Sequence, residues 1–371
     1  MKCKPYFNSG RREIPLHAML RKLLKLTSFK IGLSITLLFA LPAIPGYLIT
    51  PDQSNDCNEI LPELANRAPG SSYKYIRIKR STSETEGLLK TWLQGKSTQE
   101  DIVAGEVRKL SHKDSIAFLP LGEIVVKRFA NKDLVAESNG QVFHKQTNWL
   151  GTDRFGRDVL SRLIIGARVS LSVGFISVFI SLFLGTMIGM AAGYFGGRTD
   201  SVLSWFIAVF WSIPTLLVAL GLSFAFGKGY WQVLIACGLS TWVEVARVVR
   251  GQTLQLRQKE FILAGIITGF GPWYMMRKHI LPNLKGSLTV LATTNFAAAI
   301  LLESGLSFLG LGIAPPTPSW GSMAKEHLGN LVLDSAWLAL IPGLAIMLLV
   351  MAFNLMSMGL RDALDPKTES V

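Results

Sequence analysis

Six long runs of the sequence carry no charge, or almost none, and they decide what the chain can fold into. They lie at 31–50, 170–193, 202–226, 231–249, 286–305 and 336–359. About 20 helical residues cross the roughly 30 Å hydrocarbon of a bilayer, so each run is long enough to span it. Only Glu244, Arg247 and Glu303 interrupt the runs, all toward their ends. A soluble enzyme also buries apolar helices, but not as several uncharged runs longer than 24 residues. Of the 371 residues, 49% are hydrophobic and 17% charged, too apolar a balance for an ordinary soluble domain. The expected fold is an all-α integral membrane protein with six transmembrane helices. The N-terminus is basic and then apolar, like a signal peptide. Run 31–50 is long, however, and no small-x-small cleavage site follows it, so it reads as an uncleaved first helix.

The net charge of +13 raises nucleic acid as a partner, and the placement of the charge argues against it. Residues 1–30 hold eight Lys/Arg and one acid, Glu13; residues 247–285 hold seven Lys/Arg and one acid, Glu260. Basic residues beside membrane spans mark the cytoplasmic side. With six spans, both segments and the C-terminus fall on the same side. The charge is a topology signal, and no nucleic-acid partner is expected.

Between the runs the chain divides by composition. Residues 1–30 form a basic cytoplasmic tail. Its stretch REIPLHAMLRKLLKLTSF has amphipathic spacing that suits a membrane surface, and a solvated tail fits equally well. Residues 31–50 are the first transmembrane helix. Residues 51–147 form a polar insert between helices 1 and 2, outside the cytoplasm; residues 51–150 carry 14 basic and 13 acidic side chains. SYKYIRIKR alternates like a strand and ETEGLLKTWLQG has helical spacing, so the insert reads as a small α+β unit. Residues 148–168, NWLGTDRFGRDVLSRLIIGAR, are dense in charge and glycine. Residues 169–360 hold the remaining five helices, with a cytoplasmic loop at 250–285, and 361–371 form a cytoplasmic tail. Gly185, Gly189 and Gly193 recur at four-residue steps, which puts them on one helix face and lets another helix approach closely. Pro214 and Pro342 would kink or begin the helices that carry them.

Chemistry is sparse. GLSFAFGKGY puts Gly221 one residue out of register for a phosphate-binding loop, with Gly229 where Ser or Thr is required. Cys3, Cys57 and Cys237 are scattered, as are the five histidines, and make no metal-ligand spacing. No Ser/His/Asp set and no paired intramembrane carboxylates occur. Helical pairing with Arg247 and Arg250 accounts for Glu244. A salt bridge or snorkelling accounts for Glu303. The chain therefore spans the membrane with no catalytic, metal or cofactor site and no energy source of its own.

Residues 259–283, KEFILAGIITGFGPWYMMRKHILPN, sit between two spans and are too interrupted to cross the bilayer. A helix from Glu260 to Gly269 would carry small Ala264 and Gly265. Gly269 and Gly271 permit a turn, and Pro272 suits the first position of a second helix. Trp273, Met276 and Ile280 recur at helical spacing, and Pro282 disfavours helix at Leu281, so this helix is expected to end there. Two short helices with a small-residue notch make a knob fit for another protein's groove. An amphipathic hairpin lying on the membrane is the alternative.

The segment resembles the coupling loop of ABC-importer permeases, in which Glu-Ala-Ala, a Gly four residues later and a terminal Leu-Pro recur. The matching positions are Glu260, Ala264, Gly269, Leu281 and Pro282; Gly265 replaces the second Ala. RKHILPN, with His279, resembles the ending common in the peptide/nickel branch. GTDRFGRDVLSRLIIGARVSL, LSFLGLGIAPPTPSWGSM and GLRDALDP are similar to segments of the second, C-type permease of dipeptide, oligopeptide and nickel importers. The resemblance spans 148–366 and, more weakly, the first span; the insert is poorly covered. It implies a bacterial cytoplasmic (inner) membrane protein, multi-pass, with both termini cytoplasmic. The implied partners are a second permease subunit, two ATP-binding subunits that use ATP and Mg, and an extracytoplasmic substrate-binding protein. Membrane lipid surrounds the assembly.

On this reading 260–282 couples to the ATPases, and the flanking helices tilt to give alternating access. Ser287, Thr293, Thr294, Asn295 and Asn354 are pore-lining candidates, since polar groups in a span should face protein or water; interhelical hydrogen bonding is the alternative. Arg154, Arg157 or Arg162 is expected to pair with Asp153, Asp158 or Glu303 and brace the outer gate. Peptides are the favoured cargo, with nickel complexes or other small solutes as the alternative. Competing classes are a passive channel or ion-coupled carrier, a membrane enzyme using 51–147, and an export permease.

Overall fold

The computed structural model describes residues 21–78, 87–96, 101–104, 115–123, 125–130, 133–135, 142–332 and 335–364. In chain order the helices are α1 (Thr27–Ala43), α2 (Leu88–Gln94), α3 (Val159–Phe195), α4 (Gly197–Trp211), α5 (Thr215–Phe226) and α6 (Tyr230–Arg257). They continue with α7 (Glu260–Ile267), α8 (Pro272–Leu309), α9 (Trp320–Glu326) and α10 (Trp337–Leu364). Most of the basic N-terminal stretch (1–20) and the end of the C-terminal tail (365–371) lie outside the described residues.

Among the described residues, four helices, α3, α6, α8 and α10, are long and apolar enough to cross a membrane. The pair α4–α5 makes a fifth if counted as one span, and it bends by 88°. The bend falls at Pro214, which has no N–H to continue the ladder and is itself non-helical, with φ −54° and ψ 128°. Helix α1 is apolar but has 17 residues, about 25 Å at 1.5 Å per residue. The helices overrun the uncharged runs. Helix α3 starts at Val159 and α6 ends at Arg257, because polar residues at the water boundary continue a helix that the hydrocarbon has already enforced.

Helix α3 is the axis of the bundle. Gly185, Gly189 and Gly193 face α6 so closely that a Cβ on each would lie 2.5 Å from Val245 Cβ, 2.5 Å from the Ala246 carbonyl and 2.7 Å from Thr253 Cβ. Helices α8 and α10 close the other side. Phe296 stacks on Phe353 with centroids 3.8 Å apart and lies across Gly174. At one end the fully buried Trp320 of α9 donates its indole N–H to the Leu163 carbonyl (2.9 Å), covers Gly166 and meets Phe39 of α1 edge-on. Helix α1 packs on α10 through glycines on both, Gly32 beneath Ala352 and Gly359 against Phe29.

The described part of 51–148 is α+β. Strand β1 (Ser71–Arg77) is central in an antiparallel sheet, between β2 (Asp101–Ala104) and β5 (Phe143–Asn148). Strands β3 (Ser115–Phe118) and β4 (Lys127–Ala130) form a separate antiparallel pair. Ile76, Phe118 and Leu134 are fully buried between them.

The α3–α6 seam tolerates no added volume, because the nearest atom to Gly189 is backbone. Overpacking of this kind costs about 1–3 kcal/mol even where side chains can yield. We expect Gly189→Leu to lower the thermal midpoint of the detergent-purified chain sharply. Gly221→Leu, on α5 with nothing within 4 Å of its Cβ position, should leave it near the parent value.

Candidate coupling site and an ion-paired clasp at the opposite end

Helices α7 and α8 form a knob joined to the end of α6. Glu260 sits in the first turn of α7, where a carboxylate is favoured by the helix dipole. The helix closes on Gly269 at φ +84°: the Gly269 N–H reaches the Ile266 carbonyl (3.0 Å) and the Phe270 N–H the Gly265 carbonyl (3.1 Å). This paired closure needs a left-handed residue, which glycine adopts without Cβ strain. Pro272 then opens α8. Ile262 of α7 and Met275, Met276, Ile280 and Leu284 of α8 share one buried core with Met190 and Tyr194 of α3 and Val245 and Val249 of α6.

The knob differs from the sequence expectation in three ways. Gly265 is buried, its Cβ position 2.7 Å from Met275 Cε, so it lets the two helices cross; exposed Ala264 alone keeps a small residue outside. Trp273 is 59% exposed, and Met275 takes its place beside Met276 and Ile280. The helix also does not end at Pro282. Residues Met276–Ile280 widen into a π turn, in which the Leu281 N–H reaches the Met276 carbonyl, and α8 runs on to Leu309. The wider turn relieves the clash and missing N–H that a proline imposes. Leu281, Pro282 and His279 lie half-buried at this turn, and Asn283 donates its amide to the His279 carbonyl (2.6 Å). Outward, Phe261, Leu263, Ile266, Ile267, Phe270 and Tyr274 make an exposed apolar cap around Trp273.

At the far end of the bundle, residues 152–158 form a clasp. The Asp153 carboxylate accepts from the Phe155 and Arg157 N–H groups (2.8 and 3.0 Å) and from Arg157 Nε (2.6 Å). Arg157 also donates to Glu326 of α9 (2.8 Å) and Asn58 (3.1 Å). Arg162 approaches Glu326 at 3.7 Å. Asp158 caps α3 by accepting from the Ser161 N–H and hydroxyl (2.8 and 2.6 Å). Arg154 is exposed and lies over the Phe155 ring. Glu303 departs from expectation. It is fully buried, no cation among the described residues pairs with it, and Ser307 donates to it (2.7 Å) beside Ser319. Asp153, Glu326 and His327 bring ligand atoms within 4.8 Å of one another, but the Arg157 guanidinium already stands between the two carboxylates as their cation. Glu326 and Trp320 are the functional-site candidates that sequence reading missed; the PSWGSM segment that carries Trp320 was recognised only as a motif.

Comparison with known proteins settles the family. Residues 185–370 match the model for the binding-protein-dependent transport system inner membrane component. The dipeptide transport system permease DppC of Bacillus subtilis is 43% identical over 220 residues, covering 59% of this chain and 69% of that one. The glutathione transport system permease GsiD of Pectobacterium atrosepticum is 39% identical, covering 60% and 74%. The chain belongs to the binding-protein-dependent transport permeases. It is a permease subunit of an ABC importer, of the C type in the dipeptide/oligopeptide branch. Among solved structures, an inward-facing MetNI methionine ABC transporter aligns with 56% of this chain and 98% of its own, at 17% identity and a TM-score of 0.46.

In this permease the polar residues of the spans separate into two groups. Asn295 is buried and donates to Ser181 (3.0 Å), Thr294 meets Ser357 (2.9 Å), and Ser287 accepts from Gln252 (2.6 Å). These tie helices together. Thr293 bonds back to the Val290 carbonyl (2.8 Å). Asn354 alone opens on a cavity of about 560 Å³, with Met347, Met351, Met358 and Leu301. Near the knob, Glu244 joins neither arginine: Arg250 forks onto Asp200 (2.6 and 2.8 Å) and Arg247 lies over Trp211 at 3.8 Å. The turn after α3 brings Asp200 opposite α6, which a reading along α6 alone could not show.

Two expectations follow. Arg157→Ala strands two carboxylates and should cost about 3–5 kcal/mol, read as a lowered thermal midpoint, with Arg157→Lys recovering only part because one ammonium cannot fork. The second concerns Glu59, whose N–H bonds Asp52. Burial, then the Asp101 carboxylate, pushes its carboxyl up to about 8. The folded state thus favours the protonated form, so the stabilisation holds at acid pH and fades as pH rises toward 8. Midpoints measured at pH 5.5 and 8.5 should fall with pH in the parent chain and fall less in Glu59→Gln.

Proposed function

We propose that this permease forms half of a translocation pathway for peptides and is driven through its α7–α8 knob by separate ATP-binding subunits. The observation that carries the reading is the exposed apolar cap of the knob, seated at the ends of α6 and α8 within a strongly basic segment. Basic residues beside spans favour the cytoplasm, where ATPases work. Both termini then lie in the cytoplasm, α1 and the α4–α5 pair complete six crossings, and the α+β insert lies outside. ATP and Mg belong to the partner subunits, and a second permease and an extracytoplasmic binding protein complete the assembly. The names of the relatives, dipeptide and glutathione permeases, support a peptide-like cargo.

The geometry supports a lever. Helix α8 carries the knob at one end and Asn295, Glu303 and Ser307 farther along, so a push on the cap moves one continuous element. The π turn is a local weakness in its hydrogen-bond ladder and the natural place for it to flex. At the other end, Arg157, held by Asp153, and Arg162 reach Glu326 and brace α9 against α3 as the outer gate, with Asp158 capping α3 and Arg154 exposed over Phe155. Glu303 serves there as a buried partner of serines. Asn354 is the pathway residue among the candidates: an amide exposed midway along α10 would be costly against lipid, so water or protein faces it.

Gly269→Val tests the coupling. A β-branched residue strains the left-handed turn that sets the two helices, while nothing lies within 4 Å to clash. We expect normal membrane insertion, loss of co-purifying ATPase subunits and loss of ATP-driven uptake. Full uptake by this variant would refute the coupling role.

A further inference from the structure

The insert carries a short helix whose apolar side faces away from the protein. On α2, Leu89 is 75% exposed and Leu93, one turn later, 59%. Arg168 of α3 fixes where this helix sits. Its guanidinium donates to the Ala43 carbonyl (3.0 Å), the Ile44 carbonyl (3.0 Å) and the Trp92 carbonyl (2.8 Å). One cation thus caps the C-terminal ends of both α1 and α2, where helix dipoles favour positive charge. The ring of Trp92 lies beside the guanidinium, and its N–H reaches the Ile44 carbonyl (2.6 Å). Helix α2 is therefore pinned level with the end of α1.

The depth of that level follows from α3. Tyr194, with Arg257 over its ring, marks the opposite boundary. Arg168 and Tyr194 are 26 helical residues apart, about 39 Å at 1.5 Å per residue. A bilayer with its headgroup regions measures about 40–45 Å, so Arg168 and Trp92 stand at the other interface. Arginine and tryptophan are the side chains that settle there. Leu38 and Leu41 of α1 and Ile44 at its C-terminal end are exposed as well, as lipid-facing side chains of a span would be.

We propose that α2 is an interfacial anchor: Leu89 and Leu93 enter the outer leaflet and hold the insert flat on phospholipid. The proposal rests on α1 and α3 spanning the bilayer. The occupant of the face is lipid, because α2 is held at the end of α1 and carries half of an Arg–Trp pair at headgroup depth.

The test uses the full chain in phosphatidylcholine vesicles, with Cys3 replaced by Ser and single spin labels at Leu93→Cys, Leu38→Cys and Glu123→Cys. Buried Cys57 and Cys237 remain. Collision with oxygen, which concentrates in hydrocarbon, is compared with collision with a water-soluble nickel chelate. We expect an oxygen preference at 93 that exceeds that at 123 and is smaller than that at 38, which lies deeper in the hydrocarbon. A chelate preference at 93 with an oxygen preference at 38 overturns the anchor and leaves the spans standing. A chelate preference at both positions overturns the span reading as well. A label at 93 that neither reagent reaches is covered by protein, and that result also overturns the proposal.

Discussion

Everything in this bundle depends on how closely α3 and α6 approach. Hydrocarbon gives helices no hydrophobic reason to associate, so association must come from packing and from polar contacts. Three glycines supply the packing, putting the backbone of α6 where side chains would otherwise stand. Once the seam is closed, Ser177 can reach the Leu234 carbonyl (3.1 Å), and Met190 and Tyr194 meet the knob residues that follow α6. Helices α8 and α10 then add their stacked aromatics to the opposite face of α3. A seam set by backbone contact cannot slide by fractions of an ångström as a leucine interface can. The position of the knob relative to α3 is thus inherited from glycine spacing.

The two ends of the bundle use different physics. The clasp is built from buried charge: Asp153 and Arg157 are almost fully enclosed, and each oxygen of Asp153 has a donor. Such a network resists opening because separation leaves charge uncompensated in a poorly solvated place. The knob is built from exposed apolar side chains on a glycine-closed turn. An apolar cap can leave water for a partner's groove and return without stranding a charge.

The long helices were legible because the bilayer leaves few alternatives: a run of 24 uncharged residues has one stable fate in hydrocarbon. Gly185, Gly189 and Gly193 were legible as a face because helical period alone groups them. Pro214 marked a break but not its angle, which depends on what α4 and α5 pack against. The residues of the 259–283 knob could be singled out by motif, whereas their orientation could not. Gly265 faces inward because Met275, across the turn, needs room, and no pattern within α7 encodes that. Glu326 and Asp200 were missed for a similar reason. Their partners Arg157 and Arg250 are distant in sequence, and ion pairs between elements leave no periodic trace.

Pro282 shows how a local rule can fail in an informative way. A proline after Leu281 should end a helix, since it lacks an N–H and crowds the preceding turn. Ending it would cut the knob off from the span and leave only a loop to carry force between them. The chain instead widens one turn, Met276–Ile280, and continues. Ile280 and Leu284, on either side of the proline, stay in the core shared with α3 and α6, so packing holds the widened turn in place. The outcome is a helix from Pro272 to Leu309 with one softened turn next to the packed core. On the proposed coupling, stiffness along the rest of α8 would carry displacement of the cap to the membrane interior. On the same proposal, the softened turn would let the cap change its angle without unpacking α3 from α6.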